Sequence, residues 1–308
     1  MIEVTHCSVC DSTAVQPLYR PRRSPGPVVR CCNCGFVYIS PIEDTHALIA
    51  EGPVLRGKHA AMLNSTDLND LKDSWEAQHL AAKEFELPAI KLNAHDALTR
   101  IGYYIQAPGR LLDFGCGWGF FLAEVRAYGW EPYGLDPLPA CAIYARVKAG
   151  ATVVSDVLRP GIFPEASFAV ITSFQVFEHL PNPNETLAQL VRLLRPGGVI
   201  LIEVPNIRHW TVRVMGKKHR HYVQDHLNFF SRQTLGKLME RHGLQVVGNY
   251  TPTRRMTLRH LLVHWGKYLY SPRVAELMAR LPQQVLNVVV PVKLGDIVAV
   301  IARRLETD

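Results

Sequence analysis

The sequence predicts a doubly wound α/β fold, a mainly parallel sheet with helices on both faces, preceded by a cysteine-bearing segment and a helical connection. Three observations carry this. Leu111-Leu112-Asp113-Phe114 is an apolar run that meets glycines at 115, 117 and 119 and then good helix formers from Phe120 to Tyr128. That is the pattern of a strand covered on both faces, a tight turn and a helix. Apolar runs and amphipathic segments alternate from there onward. Four cysteines stand near the start as two C-x-x-C pairs. The divisions that follow are 1–41 for the cysteine segment, 42–106 for a helical lid or linker, and 107–308 for the α/β domain, with basic insertions at 207–224 and 253–281.

The chain has 308 residues, 48% of them hydrophobic, and a formal net charge of +7. No uninterrupted apolar run approaches the ~18 residues that span a bilayer. Met1–Asp11 holds acids and cysteines where an export signal carries an apolar stretch, so the expected location is cytoplasmic. The moderate basic balance suits an acidic substrate, a membrane surface or nucleic acid, and selects none of them.

In residues 1–41, Cys7-x-x-Cys10 and Cys31-x-x-Cys34 flank a loop rich in proline and arginine. Two such knuckles can place four thiolates around one Zn²⁺, and in a chain without an export signal zinc is favoured over disulfides. So short a segment builds little core of its own, so the metal would supply its folding energy. Cys32 is a spare thiol. A structural ribbon is favoured over a nucleic-acid reader, because no aromatic and basic residues interleave with the knuckles.

Residues 42–106 read as two amphipathic helices, Ser65 to Leu87 and Ala89 to Tyr104. After the glycine turn, Glu131 to Asp136 reads as the second strand. Its terminal acid lies where a nucleoside-binding α/β unit accepts the ribose hydroxyls. Pro139 to Lys148 is a helix and Thr152 to Val157 the third strand. Phe168 to Ser173 is the fourth strand, leading into Phe174-Gln175-Val176-Phe177-Glu178-His179-Leu180. Asn184 to Arg195 is a helix stopped by Pro196-Gly197-Gly198, and Val199 to Asn206 the fifth strand. Ser231 caps a helix from Arg232 to His242. Gln245 to Tyr250 and Asp296 to Ala302 are the last two strands.

The glycines are neither a dinucleotide fingerprint, whose third glycine would fall at Phe120, nor a P-loop, since no lysine follows. Asp113 followed by alternate glycines resembles motif I of class I S-adenosylmethionine-dependent methyltransferases. The Glu-His-Leu loop, Leu-Arg-Pro-Gly-Gly before the fifth strand, Pro205-Asn206 after it, and His226-Leu227-Asn228-Phe229-Phe230-Ser231 resemble the same family. Arg30 to Tyr38 resembles the ribbon that precedes some bacterial small-molecule members. The resemblance implies a Rossmann-like sheet of seven strands, the last antiparallel, over Leu111–Arg303. It implies cofactor contacts at Asp113 (the ammonium group), at the turn Gly115, Cys116, Gly117, Trp118, Gly119 and Phe120, at Asp136 and Pro137 (the ribose), at Asp156 and Val157 (the adenine), and at Gln175. It places His226 toward the substrate.

Glu178 and His179 have three readings: a general base near neutral pH, part of a divalent-metal site as in quinone-pathway relatives, or the loop's own hydrogen-bond network. Those relatives carry an acid where this chain has Gln175. His226 is the second candidate base. The insertion 207–224 holds Arg208, Arg213, Lys217, Lys218 and Arg220 and favours an acidic or phosphate-linked acceptor. Thr253–Leu281 reads as a basic amphipathic helix with aromatics, which suits a membrane surface, a dimer or the sheet. The expected activity is O-methylation of a sugar, nucleotide sugar or secondary metabolite, with S-adenosylmethionine as cofactor and structural zinc. The alternatives are a C- or N-methyltransferase of the same class, a zinc-ribbon nucleic-acid methyltransferase or binder, and a non-catalytic scaffold. Ser173-Phe174-Gln175-Val176 stands where base-amine enzymes often carry an Asn-Pro-Pro-Tyr type tetrapeptide, which disfavours nucleic acid.

Overall fold

The computed structural model describes residues 3–21, 26–42, 80, 83–105, 108–223, 225–269 and 281–306. Three short strands, β1 (Val15–Tyr19), β2 (Val28–Cys31) and β3 (Val37–Ile39), are followed by helix α1 (Leu87–Gly102). The α/β domain then runs β4 (Arg110–Phe114), α2 (Phe120–Ala127), β5 (Glu131–Leu135), α3 (Pro139–Ala149), β6 (Thr152–Val154), β7 (Phe168–Phe174), α4 (Pro183–Leu193), β8 (Leu194–Pro205), α5 (Trp210–Met215), β9 (Asn228–Phe229), α6 (Arg232–Arg241) and β10 (Leu244–Tyr250). It closes with β11 (Arg254–Thr257), α7 (Leu258–Leu269), α8 (Gln283–Leu286), β12 (Val289–Val292) and β13 (Ile297–Arg304).

The central sheet has seven strands in the order β6-β5-β4-β7-β8-β13-β10. From β6 to β8 every pairing is parallel, and β13 is antiparallel to both its neighbours. The chain order reverses between β4 and β7, and ligands bind beyond the carboxyl ends of the strands at such a switch point. Leu111 and Leu112 of β4 and Val199 to Ile202 of β8 have no solvent exposure, because helices cover both faces. α6 begins with a capping box in which Ser231 accepts from the Thr234 N–H and the Thr234 side chain accepts from the Ser231 N–H. Among the described residues no helix is long and apolar enough to cross a membrane.

Three elements depart from the sequence expectation. β6 stops at Val154, because Asp156 accepts from the Val157 N–H and this local bond competes with the ladder. β8 begins at Leu194, so Pro196-Gly197-Gly198 lies inside a strand and not after a helix. The stretch from Thr253 does not begin as a helix: Arg254 to Thr257 pairs antiparallel with Val289 to Val292, and α7 starts only at Leu258. Residues 270–280, and most of the Ser65–Leu87 segment, lie outside the described residues.

The cysteine segment does not stand apart. β1, β2, β3 and β9 form one antiparallel sheet, in which Val37 and Tyr38 pair with Phe229 and Asn228. Phe36 packs on Phe230 with ring centroids 4.9 Å apart, both side chains fully buried. Burying a side chain of this size contributes about 1.5–3 kcal/mol, so the ribbon shares the domain's core.

Candidate active site

β4 carries Asp113 to the carboxyl edge of the sheet, and the turn after it is fixed by packing. Gly115 has φ +78°, and a Cβ there would overlap the Val176 side chain, so only glycine fits. The Gly117 N–H donates to Asp136 Oδ2 at 2.8 Å and the Leu138 N–H to Asp136 Oδ1 at 2.9 Å. Thr172 Oγ1 donates to Asp113 Oδ1 at 2.7 Å. Asp113 and Asp136 are only 3% and 7% exposed. Burial pushes Asp113 up to about 7, and Asp136 is raised for the same reason. The interactions that lower either group are hydrogen bonds, with no cationic side chain among them. Two buried acids at a glycine turn suit a ligand that brings a cationic amine and hydroxyl donors, as S-adenosylmethionine does.

Trp118 and Phe120 both stand edge-on to Tyr144 beside the turn. Cys116 is buried, and Pro137 follows Asp136 at the end of β5. Asp156 lies further along the same edge, where its second carboxylate oxygen accepts from Arg159 at 2.6 and 3.0 Å. Val157 follows it.

A cavity of about 300 Å³ opens between α1 and the switch point. Asp113, Gly115, Cys116, Gly117 and Phe120 line one wall, Asn93, Asp96 and Arg100 of α1 the roof, and Gln175, Glu203, Tyr250 and Arg254 the rest. Phe121 and Phe174 meet edge to face within this lining, with centroids 4.9 Å apart. Gln175 has φ +57°, a strained value for a side-chain-bearing residue. It is held there by its N–H to the Glu203 carbonyl at 2.9 Å and its Nε2 to Glu203 Oε1 at 3.2 Å. Burial raises Glu203, and Arg254 opposes the rise. Asn93 fastens the roof, donating to the Arg255 carbonyl at 2.9 Å and accepting from its N–H at 2.8 Å.

Arg100, Glu203, Tyr250 and Arg254 are wall residues that sequence reasoning did not single out. The signal for Glu203 was present, a lone acid in the apolar strand Val199 to Val204. No described residue of the insertion 207–224 lines the cavity.

Glu178, His179 and His226 come together in a second cluster, one ligand-capable atom from each lying within 4.8 Å of the others. The two imidazoles meet edge to face with centroids 4.8 Å apart. His179 Nδ1 lies 2.8 Å from the Asp225 carbonyl oxygen, so it carries the hydrogen and leaves Nε2 with the lone pair. The His226 ring bonds the His221 carbonyl, while its Nδ1 and Glu178 Oε2 are buried without a hydrogen-bond partner. Burial lowers His179 and lowers His226 to about 4, so both rings are neutral at pH 7. Burial raises Glu178 to about 8, with Glu203 adding and Arg254 opposing.

The sulfurs of Cys7, Cys10, Cys31 and Cys34 lie within 4.8 Å of one another, with Cys7–Cys34 and Cys10–Cys31 each 3.5 Å apart. Zn–S bonds of ~2.3 Å give a tetrahedron with edges of ~3.8 Å, so the donor set fits zinc. Cys32 is exposed and lies outside the cluster.

A family model described as a methyltransferase domain matches residues 85–249, just over half of the chain. The ubiquinone biosynthesis O-methyltransferase of Pectobacterium atrosepticum is 28% identical over 136 residues, which is 39% of this chain and 55% of that protein. A probable S-adenosylmethionine-dependent methyltransferase of Mycolicibacterium smegmatis is 32% identical over 97 residues, 31% of this chain and 38% of that one. The chain thus spans about half the length of the curated relatives it matches, or less. A chain from the solved complex between the Haloferax volcanii Trm112 methyltransferase activator and the putative methyltransferase is 16% identical, with a TM-score of 0.51 over 79% of this chain and 99% of that one. That likeness concerns the fold. With the family model laid over α1 and the sheet through β10, and with the strand order and glycine turn described above, the chain belongs to the class I S-adenosylmethionine-dependent methyltransferases.

Proposed function

We propose that the chain methylates an oxygen of a small polar acceptor, a sugar, nucleotide sugar or secondary metabolite that carries an acidic group. The observation that carries this is the cavity wall, where Arg100, Arg254 and half-buried Glu203 line the same cavity as the glycine turn. A guanidinium forms paired, charge-assisted hydrogen bonds to a carboxylate or phosphate, and Glu203 and Gln175 offer polar partners for hydroxyls. When bound, S-adenosylmethionine supplies an electrophilic methyl group. Asp113 holds its ammonium group, Asp136 its ribose, and Asp156 its adenine.

The chain's own contribution is alignment, desolvation and proton removal. Phe121 and Phe174 keep water from the cavity wall, which strengthens every electrostatic contact inside. His179 accepts the proton. Its ring is neutral, and its orientation is set by the Asp225 carbonyl. His226, with its free nitrogen buried, supports that ring from the side. The four cysteines hold structural zinc.

The test is transfer of isotope-labelled methyl from S-adenosylmethionine into a fractionated extract of the source cell. Label in an anionic small-molecule fraction, released from the product as an O-methyl group, supports the reading. Label in nucleic acid, or on nitrogen or carbon, overturns it.

A further inference from the structure

We infer that the four-cysteine ribbon is a positioning element for the Glu178–His179 loop, acting through Asn228; this rests on the reading of His179 as the proton acceptor. A continuous run of bonds links the two. Within the second knuckle the Gly35 N–H donates to the Cys31 carbonyl at 3.0 Å and the Cys31 N–H to the Phe36 carbonyl at 2.8 Å. β3 begins directly after, at Val37, and its Tyr38 pairs with Asn228. The Ile39 N–H donates to the Leu227 carbonyl at 2.9 Å, and the Leu227 N–H donates to the Glu178 carbonyl at 2.7 Å.

Asn228 completes the connection with its side chain. Its Nδ2 donates to the Phe177 carbonyl at 3.3 Å and to the Leu180 carbonyl at 2.6 Å. These carbonyls bracket the Glu178–His179 pair, so one amide group sets the path of the backbone that carries both side chains. β9 is two residues long, and its described sheet partner is β3. A two-residue strand has almost no stability of its own, so its place depends on β3, and β3 lies between it and the cysteines. His226 lies two residues before β9. Both imidazoles are therefore held by segments bonded to the ribbon's strand, whereas the Asp113 and Asp136 carboxylates are held by Thr172 and by the Gly117 and Leu138 N–H groups.

The test separates the two halves of the site without needing the acceptor. The full chain loaded with Zn²⁺ is compared with the same chain stripped by a chelator. Amide hydrogen exchange is followed over 174–182 and 226–230, ring signals of His179 and His226 by NMR, and S-adenosylmethionine affinity by calorimetry. Stripping is expected to speed exchange in both segments tenfold or more and to shift both ring signals, with cofactor affinity held within twofold. Asn228→Ala, with zinc content confirmed, is expected to reproduce the faster exchange over 174–182 in the loaded protein. Unchanged exchange in that loop after stripping overturns the inference. So does a parallel loss of cofactor affinity, because the ribbon would then be a general staple. If no extract fraction took up labelled methyl, the functional reading would fail while the exchange result stood.

Discussion

Thr172 donates its hydroxyl hydrogen to Asp113 at 2.7 Å from the neighbouring parallel strand, and both residues are buried. This single bond is the main local support for a carboxylate that burial disfavours. Asp113 is raised to about 7, so the folded chain keeps a proton that the unfolded chain loses near pH 4. Through this group the cofactor-free protein loses stability as pH rises from about 4 to about 7.

Cofactor binding should therefore be proton-linked. An ammonium group beside Asp113 favours the carboxylate, so binding at pH 6 should release close to one proton. Affinity should rise by up to about tenfold per pH unit toward pH 7 and level off above it. Calorimetry in buffers of different ionisation enthalpy measures the release. A flat affinity between pH 5 and 8 would remove Asp113 from the ammonium contact.

Thr172→Val keeps the shape of the side chain and deletes the donor. Losing a hydrogen bond to a charged group costs about 1.5–3 kcal/mol. The carboxyl group should then titrate higher, and the pH at which cofactor affinity levels off should move up by one unit or more. An unmoved midpoint would show that the hydroxyl does not support the charge.

Asp136→Ala should weaken cofactor binding by tenfold or more, on the same energy scale. The structure adds a second consequence. Asp136 also accepts from the Gly117 and Leu138 N–H groups, so the variant should melt at a lower temperature even without cofactor. Unchanged affinity with lowered melting would mean that the acid only braces the turn.

His179→Ala should lower labelled-methyl incorporation by about a hundredfold or more, the usual range for a general base, and leave cofactor affinity intact. His226→Ala should lower it less, because that ring acts through its neighbour. The reverse order would make His226 the proton acceptor.

The centre of the sheet was legible because strands covered on both faces are apolar throughout, as Leu111-Leu112 and Val199 to Ile202 are. Asp113, the glycines and Asp136 were legible because few other reasons put those residue types at strand ends with that spacing. β9 was not, since two residues carry no period and their partner strand lies far back in the sequence. β11 was read as helix because Arg254 and Arg255 precede a true amphipathic run, and only the pairing with β12 distinguishes the two. The wall formed by Arg100, Glu203 and Arg254 was hidden for a related reason. Arg100 and Arg254 read locally as solvated surface, Glu203 reads as a lone acid in an apolar strand, and only the fold brings the three to one cavity.

The grip of Asn93 on Arg255 also has a consequence in time. The two residues are 162 positions apart in sequence. On a ribosome adding ~5–20 residues per second, α1 emerges on the order of ten to thirty seconds before its partner. Throughout that interval the glycine turn can exist while the roof above it has nothing to fasten to. A nascent chain thus carries an open trough where the folded protein has a chamber, and closure waits until β11 has been made. Contacts so distant in sequence also form slowly, so chaperone demand should fall on this late step, after the sheet's centre is already in place.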